Sequence, residues 1–136
     1  MSNKMVLFVC VQNSARSQIA EGFCKKYGKG ITCSSAGTVP ADKINPNAVQ
    51  VMKEAGINIS ENKPKIITNE MMDNATIIIN MGCMDSNSCP AILLEKSMED
   101  WGIEDPAGKS IEKVREIRDQ IERKVRELIT DLEKAG

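Results

Sequence analysis

The chain has 136 residues, 18 lysines and arginines against 19 acidic residues, a net charge of -1 and no histidine. That length suits one domain over residues 1–136 with a substantial core. The charge balance supplies no basic field for nucleic acid or an anionic membrane, and the missing histidine removes Ser-His and Cys-His pairs and histidine zinc sites.

"MSNKMVLFVC" has too short an apolar part for a signal peptide, and no run approaches the roughly 20 apolar residues of a membrane span. A soluble, cytoplasmic monomer is expected. Met5 to Val9 is short, apolar and partly β-branched, which suits a buried strand. Ile19, Ala20, Phe23, Cys24 and Tyr27 then recur at helical spacing, so Ser17 to Tyr27 reads as a helix and "CVQNSARS" as a strand-to-helix loop. "ITCSSAG" reads as a second strand. "NPNAVQVMKEAG" is a helix with Asn45 as N-cap, Pro46 at its first position and Gly56 at its end. "NEMMDNA" suggests a short helix, "TIIINM" a third strand and "SMEDWGI" a fourth.

The last helix has the clearest period. Ile111, Val114, Ile117, Ile121, Val125, Leu128 and Leu132 step by three and four behind Ser110 as N-cap. Asp119 with Arg123, and Glu122 with Arg126, stand four apart on a solvated face, worth only about 0.2 to 0.5 kcal/mol per pair. Strands alternating with helices imply right-handed crossovers, hence an α/β fold with a parallel sheet and helices on both faces. Ligands in such folds bind beyond the carboxyl ends of the strands, where Cys10 and Cys83 fall.

The five cysteines, at 10, 24, 33, 83 and 89, are an odd number in a chain without an evident export signal. They argue for reduced or redox-active thiols over a disulfide framework. Cys24 on the helix stripe and Cys33 inside a strand read as packing residues. Two cysteines at 83 and 89 leave a zinc site incomplete, so no metal is expected. The methionines read as adaptable packing, and Trp101 as packing beneath the loop that carries Asp105.

A loop entering a helix N-terminus aims backbone N–H groups at one point, and the helix dipole adds positive charge there. Val11, Gln12, Asn13, Ser14, Ala15, Arg16 and Ser17 form such a loop after Cys10, and the Arg16 guanidinium can fork onto two oxygens of a tetrahedral oxyanion. Such surroundings favour thiolate over thiol without a histidine. Ser14 and Ser17 can both hydrogen-bond the sulfur. The expected role of Cys10 is nucleophilic. Asp105, held extended by Pro106, stands in a loop before the last helix and can protonate a departing oxygen.

"CVQNSARS" together with "DPAGKS" resembles the low-molecular-weight protein tyrosine phosphatase superfamily, and within it the arsenate reductases that share that fold. "SSAGT", "NPNAVQVMKEAGINIS" and "EDWGIEDPAGKS" follow in the same order, so the likeness covers nearly the whole chain. It implies a four-stranded parallel sheet flanked by helices, with Cys10 as nucleophile, Arg16 as oxyanion clamp and Asp105 as general acid, acting on arsenate or a phosphate-like oxyanion.

A phosphatase needs only those three groups, whereas a reductase needs further thiols. "MGCMDSNSCP" places Cys83 and Cys89 with five residues between them beyond the third strand. Cys83 can attack the Cys10 sulfur and Cys89 can then attack Cys83, leaving a disulfide for an external reductant of thioredoxin or glutaredoxin type, with no bound cofactor. The thioredoxin-linked reductases usually place six residues between these cysteines. The phosphatases usually carry tyrosines after the Asp-Pro, and "DPAGKS" has none. Some of these reductases hold a potassium ion with residues matching Asn13, Glu21 and Ser35 and an aspartate; here Lys65 stands at the aspartate's place, and its ammonium is expected to replace the ion. A non-catalytic oxyanion sensor is the reading from another class, and it would leave every matched residue without its role.

Overall fold

The computed structural model describes residues 4–81 and 98–135. β1 (Lys4–Cys10), α1 (Arg16–Tyr27), β2 (Ile31–Gly37), α2 (Pro46–Glu54), α3 (Asn69–Asn74), β3 (Ile77–Asn80), β4 (Met98–Asp100) and α4 (Ile111–Ala135) follow in that order. All strand pairs are parallel, and the sheet order is β2-β1-β3-β4. β1 lies between β2 and β3, so its residues are buried on both faces and read as an unbroken apolar run.

Side chains alternate across β1. Val6, Phe8 and Cys10 belong to the larger core with α1, α2 and α4, while Leu7 and Val9 belong to a smaller core with Met72 of α3 and Ile78. Cys10 therefore ends the strand on the α1 face. The larger core includes Val114, Ile117, Ile121, Val125 and Leu128 of α4, as their spacing requires, with Ile111 and Leu132 half-buried at its ends. Each fully buried large apolar side chain contributes about 1.5–3 kcal/mol. Phe8→Ala, which would also leave a cavity, should cost about 3–5 kcal/mol.

Two expected caps are present: the Asn45 side chain accepts from the Asn47 N–H at 2.8 Å, and the Ser110 hydroxyl accepts from the Lys113 N–H at 3.2 Å. Gly56, at φ 82°, takes the left-handed conformation that ends α2. The strand read from "SMEDWGI" is shorter than expected, and that from "TIIINM" loses a residue at each end. Trp101 packs obliquely on Phe8, with ring centroids 5.9 Å apart.

Two expectations need correction. Cys24 and Cys33 are not free packing thiols; a disulfide joins them, with Cα atoms 6.0 Å apart. α1 lies against β2, and the helix face that includes Glu21 and Cys24 meets the strand face that includes Cys33 and Ser35. Helical and strand periods give each face separately, but the register between them is a tertiary property. On α4, Asp119 pairs with the neighbouring Arg118 at 2.9 Å, and Glu122 accepts the Tyr27 hydroxyl at 2.6 Å. The solvated i, i+4 pairs yield to a shorter local pair and to a bond between helices.

Candidate active site

β1 ends at Cys10 and α1 begins at Arg16, so the loop sits at the carboxyl edge of the sheet. Its path is held from the segment that follows β2. The Val39 N–H donates to the Val11 carbonyl at 2.8 Å, the Ala41 N–H to the Gln12 carbonyl at 2.9 Å, and the Asn45 N–H to the Ser14 carbonyl at 2.9 Å. With those carbonyls turned outward, the opposite side of the loop is left to N–H groups. Gly37 is required by this approach: a Cβ there would stand 2.6 Å from the Val11 carbonyl oxygen and 3.0 Å from the Asn13 nitrogen.

α1 has Ala15 at its N-cap and no side-chain cap. Helices usually place a serine, threonine or aspartate there to accept first-turn N–H groups. An alanine leaves that accepting role to an anion. The first helical bond runs from the Ile19 N–H to the Ala15 carbonyl at 2.8 Å.

Cys10, only 2% exposed, is the free cysteine among the described residues. Its Sγ accepts the Asn13 N–H at 3.2 Å and lies 2.9 Å from the Ser17 hydroxyl. Of the two serines expected at the sulfur, only Ser17 is hydrogen-bonded to it; Ser14 contributes its carbonyl to Asn45 instead. Asn13 adopts φ 52°, and its Nδ2 donates to the Ser17 Oγ at 2.7 Å.

Arg16 is buried. Its Nη1 donates to the Met81 carbonyl at 2.9 Å and the Ile103 carbonyl at 3.0 Å, which fixes the guanidinium plane. Nη2 lies 3.8 Å from Asp105 Oδ2, so the loop arginine and the Asp-Pro loop meet. Asp105 is exposed, and its Oδ1 accepts the Ala107 N–H at 3.0 Å in a turn. An oxyanion held by the loop would lie beside a sulfur nucleophile, a planar cation and a carboxyl group. Cys83 and Cys89 lie outside the described residues.

Glu21 is buried behind the loop. It accepts the Ser35 hydroxyl, pairs with Lys25 at 2.7 Å and lies 3.8 Å from the Lys65 ammonium. Asn13 Oδ1 already accepts the Lys65 N–H at 2.9 Å and Gln18 Nε2 at 3.0 Å. These oxygens have cationic or N–H partners, so the cluster does not fit a potassium ion. No cluster of three or more histidine, cysteine, aspartate or glutamate residues suited to a metal occurs among the described residues. No described helix is long and apolar enough to cross a membrane.

Sequence reasoning missed two residues of this site, Gln18 and Asn62. Gln18 is fully buried one position after Ser17, and Asn62 Nδ2 donates to its Oε1 at 3.1 Å. The only signal was a glutamine directly after Ser17, in the first turn of the helix that the loop enters.

Residues 5–136 match the family described as low molecular weight phosphotyrosine protein phosphatase. The chain is 36% identical over 129 residues to a glutaredoxin arsenate reductase of Synechocystis, covering 95% of this chain and 98% of the relative. It is 37% identical over 123 residues to an arsenate reductase of Staphylococcus aureus, covering 89% and 92%. Among solved structures, an arsenate reductase in a phosphate-binding state superposes with a TM-score of 0.85 at 38% identity, covering 94% of this chain and 98% of the other.

Proposed function

Because the chain belongs to the low molecular weight phosphotyrosine protein phosphatase family, we propose that it is a thiol-dependent arsenate reductase, a single domain over residues 1–136 acting as a cytoplasmic monomer. One observation carries the proposal: the Cys10 sulfur accepts an N–H and lies against a hydroxyl at the mouth of an uncapped helix, beside a buried arginine. Relatives named arsenate reductases match it over nearly their whole length.

Backbone N–H groups of Val11 to Ser17 and the Arg16 guanidinium bind arsenate. The Cys10 thiolate attacks arsenic; the sulfur–arsenic bond forms, an arsenic–oxygen bond breaks, and Asp105 supplies the proton with which that oxygen leaves as water. The Cys83 thiolate then attacks the Cys10 sulfur. A disulfide forms, the electron pair of the sulfur–arsenic bond stays on arsenic, and arsenite departs with arsenic reduced from V to III. Cys89 attacks Cys83, freeing Cys10 and leaving a Cys83–Cys89 disulfide. A dithiol protein of thioredoxin or glutaredoxin type reduces it, and the name of the Synechocystis relative favours glutaredoxin. In each turnover two thiols become one disulfide as arsenate becomes arsenite and water.

The second reading is a phosphomonoesterase, for which Cys10 with its hydrogen-bonded sulfur, Arg16, and Asp105 at 3.8 Å from that arginine suffice. Wild type, Cys83→Ser and Cys89→Ser, supplied with arsenate and a thioredoxin or glutaredoxin system, separate the two by arsenite release, with phenyl phosphate hydrolysis followed beside it. Arsenite release that collapses in both variants supports the reductase. Wild-type rates in both contradict the relay, and fast ester hydrolysis with arsenate untouched installs the phosphatase.

A further inference from the structure

We propose that Gln18 is a positioning residue for Cys10: it fixes the direction of a hydrogen-bond chain that ends on the Cys10 sulfur. This deepens the reading of Cys10 as nucleophile and rests on it. The chain begins at a group whose polarity is certain. A backbone N–H can only donate, and that of Lys65 donates to Asn13 Oδ1 at 2.9 Å. Asn13 must therefore present its carbonyl there and its Nδ2 to the Ser17 oxygen, 2.7 Å away. Ser17, having accepted, has its own proton free for the Cys10 sulfur at 2.9 Å. The Cys10–Ser17 contact alone allows either donor; a Cys10 thiolate has no proton to give, so against it the hydroxyl donates, and the chain leaves the Ser17 proton free to do so.

Gln18 locks this orientation. Its Nε2 gives Asn13 Oδ1 a second donor at 3.0 Å and reaches the Lys63 carbonyl at 3.5 Å, while its Oε1 accepts Asn62 Nδ2 at 3.1 Å. Both ends of its amide have partners of opposite kind, so Gln18 cannot turn over without losing bonds at each. It is fully buried, and loss of these bonds would leave polar groups without water to replace them. Asn13 also holds a left-handed φ of 52°, which needs outside support. Through Gln18 the turn carrying Asn62 and Lys63 is coupled to the sulfur.

The test reads Cys10 directly, by the pH profile of its alkylation with iodoacetamide, followed on the Cys10 peptide by mass spectrometry. Gln18→Met keeps the volume and removes all three amide hydrogen bonds, leaving Arg16, Asp105, Glu21 and Lys65 as they are. Its profile should move to higher pH by roughly one unit, so that the rate on the acidic limb falls about tenfold. Asn62→Ala, on an exposed side chain, should fold even if Gln18→Met does not, and should move the profile the same way by about two- to threefold in rate. Wild-type profiles in the variants that fold would overturn the proposal, leaving Gln18 a stability residue. Arsenate turnover is measured beside it: a shifted profile upholds positioning even in a protein that reduces no arsenate, and an unshifted one defeats it even in an active reductase.

Discussion

Glu21 hydrogen-bonds Ser35 one helical turn from the disulfide between Cys24 and Cys33, so two side-chain links cross from α1 to β2 on one interface. α1 carries the Cys10–Arg16 loop at its N-terminus, and β2 ends at Gly37, which backs that loop. The linked helix and strand frame the site from behind.

The disulfide joins residues nine apart in sequence, and closing so short a loop in the unfolded chain should stabilise the fold by about 2–3 kcal/mol. Urea unfolding of the double variant Cys24→Ser/Cys33→Ser should show that loss, with arsenate turnover at 25 °C near wild type. Equal stability would mean that the bond contributes nothing beyond the packing around it.

Asp105→Asn keeps the turn and removes the transferable proton. Turnover should fall about 10²- to 10⁴-fold, while the alkylation rate of Cys10 stays within about twofold of wild type. A parallel loss of alkylation would place Asp105 in loop architecture and remove it from proton transfer.

The Lys65 ammonium lies 3.8 Å from Glu21, and we propose that it takes the place of a potassium ion there. Exchanging sodium for potassium at fixed ionic strength should leave the steady-state rate unchanged. Strong stimulation by potassium would show that the ammonium does not take the ion's place.

Glu54, at the end of α2, accepts two hydrogen bonds from Arg115 at 3.1 and 2.9 Å and one from Arg118 at 3.0 Å, clamping α2 to α4. The hydrogen bond from Arg115 is the main cause that lowers its pKa from 4.5 to about 2. Because the folded value is the depressed one, the stabilisation is present above pH 4.5 and fades as the pH falls toward 2. Glu54→Gln should therefore destabilise at pH 7 and converge on wild type near pH 2, read from thermal melts across that range. A constant gap would mean that packing outweighs charge.

Much of this was legible beforehand for identifiable reasons. The α4 stripe from Val114 to Leu128 and the unbroken apolar run of β1 are local patterns, and a fold of alternating strands and helices follows from their order. The placement of Cys10 at the end of β1, Arg16 at the start of α1 and Asp105 in the loop before α4 followed from the same local patterns. The Cys24–Cys33 bond was not, since it depends on how α1 sits over β2. Gln18 escaped notice because the orientation of an amide is set by partners from 44 to 45 residues away, at Asn62 and Lys63. Asp119 and Glu122 were misread because a neighbouring arginine and Tyr27 compete for them.

The central claim is that electrons for arsenate come from this chain's own thiols. Reduced enzyme, freed of small thiols and mixed with arsenate in a single turnover, tests it most directly. The account predicts about one arsenite released per chain together with loss of two free thiols from the set Cys10, Cys83 and Cys89. Arsenate left unreduced with all three thiols still titratable, in protein that hydrolyses phenyl phosphate, would contradict it.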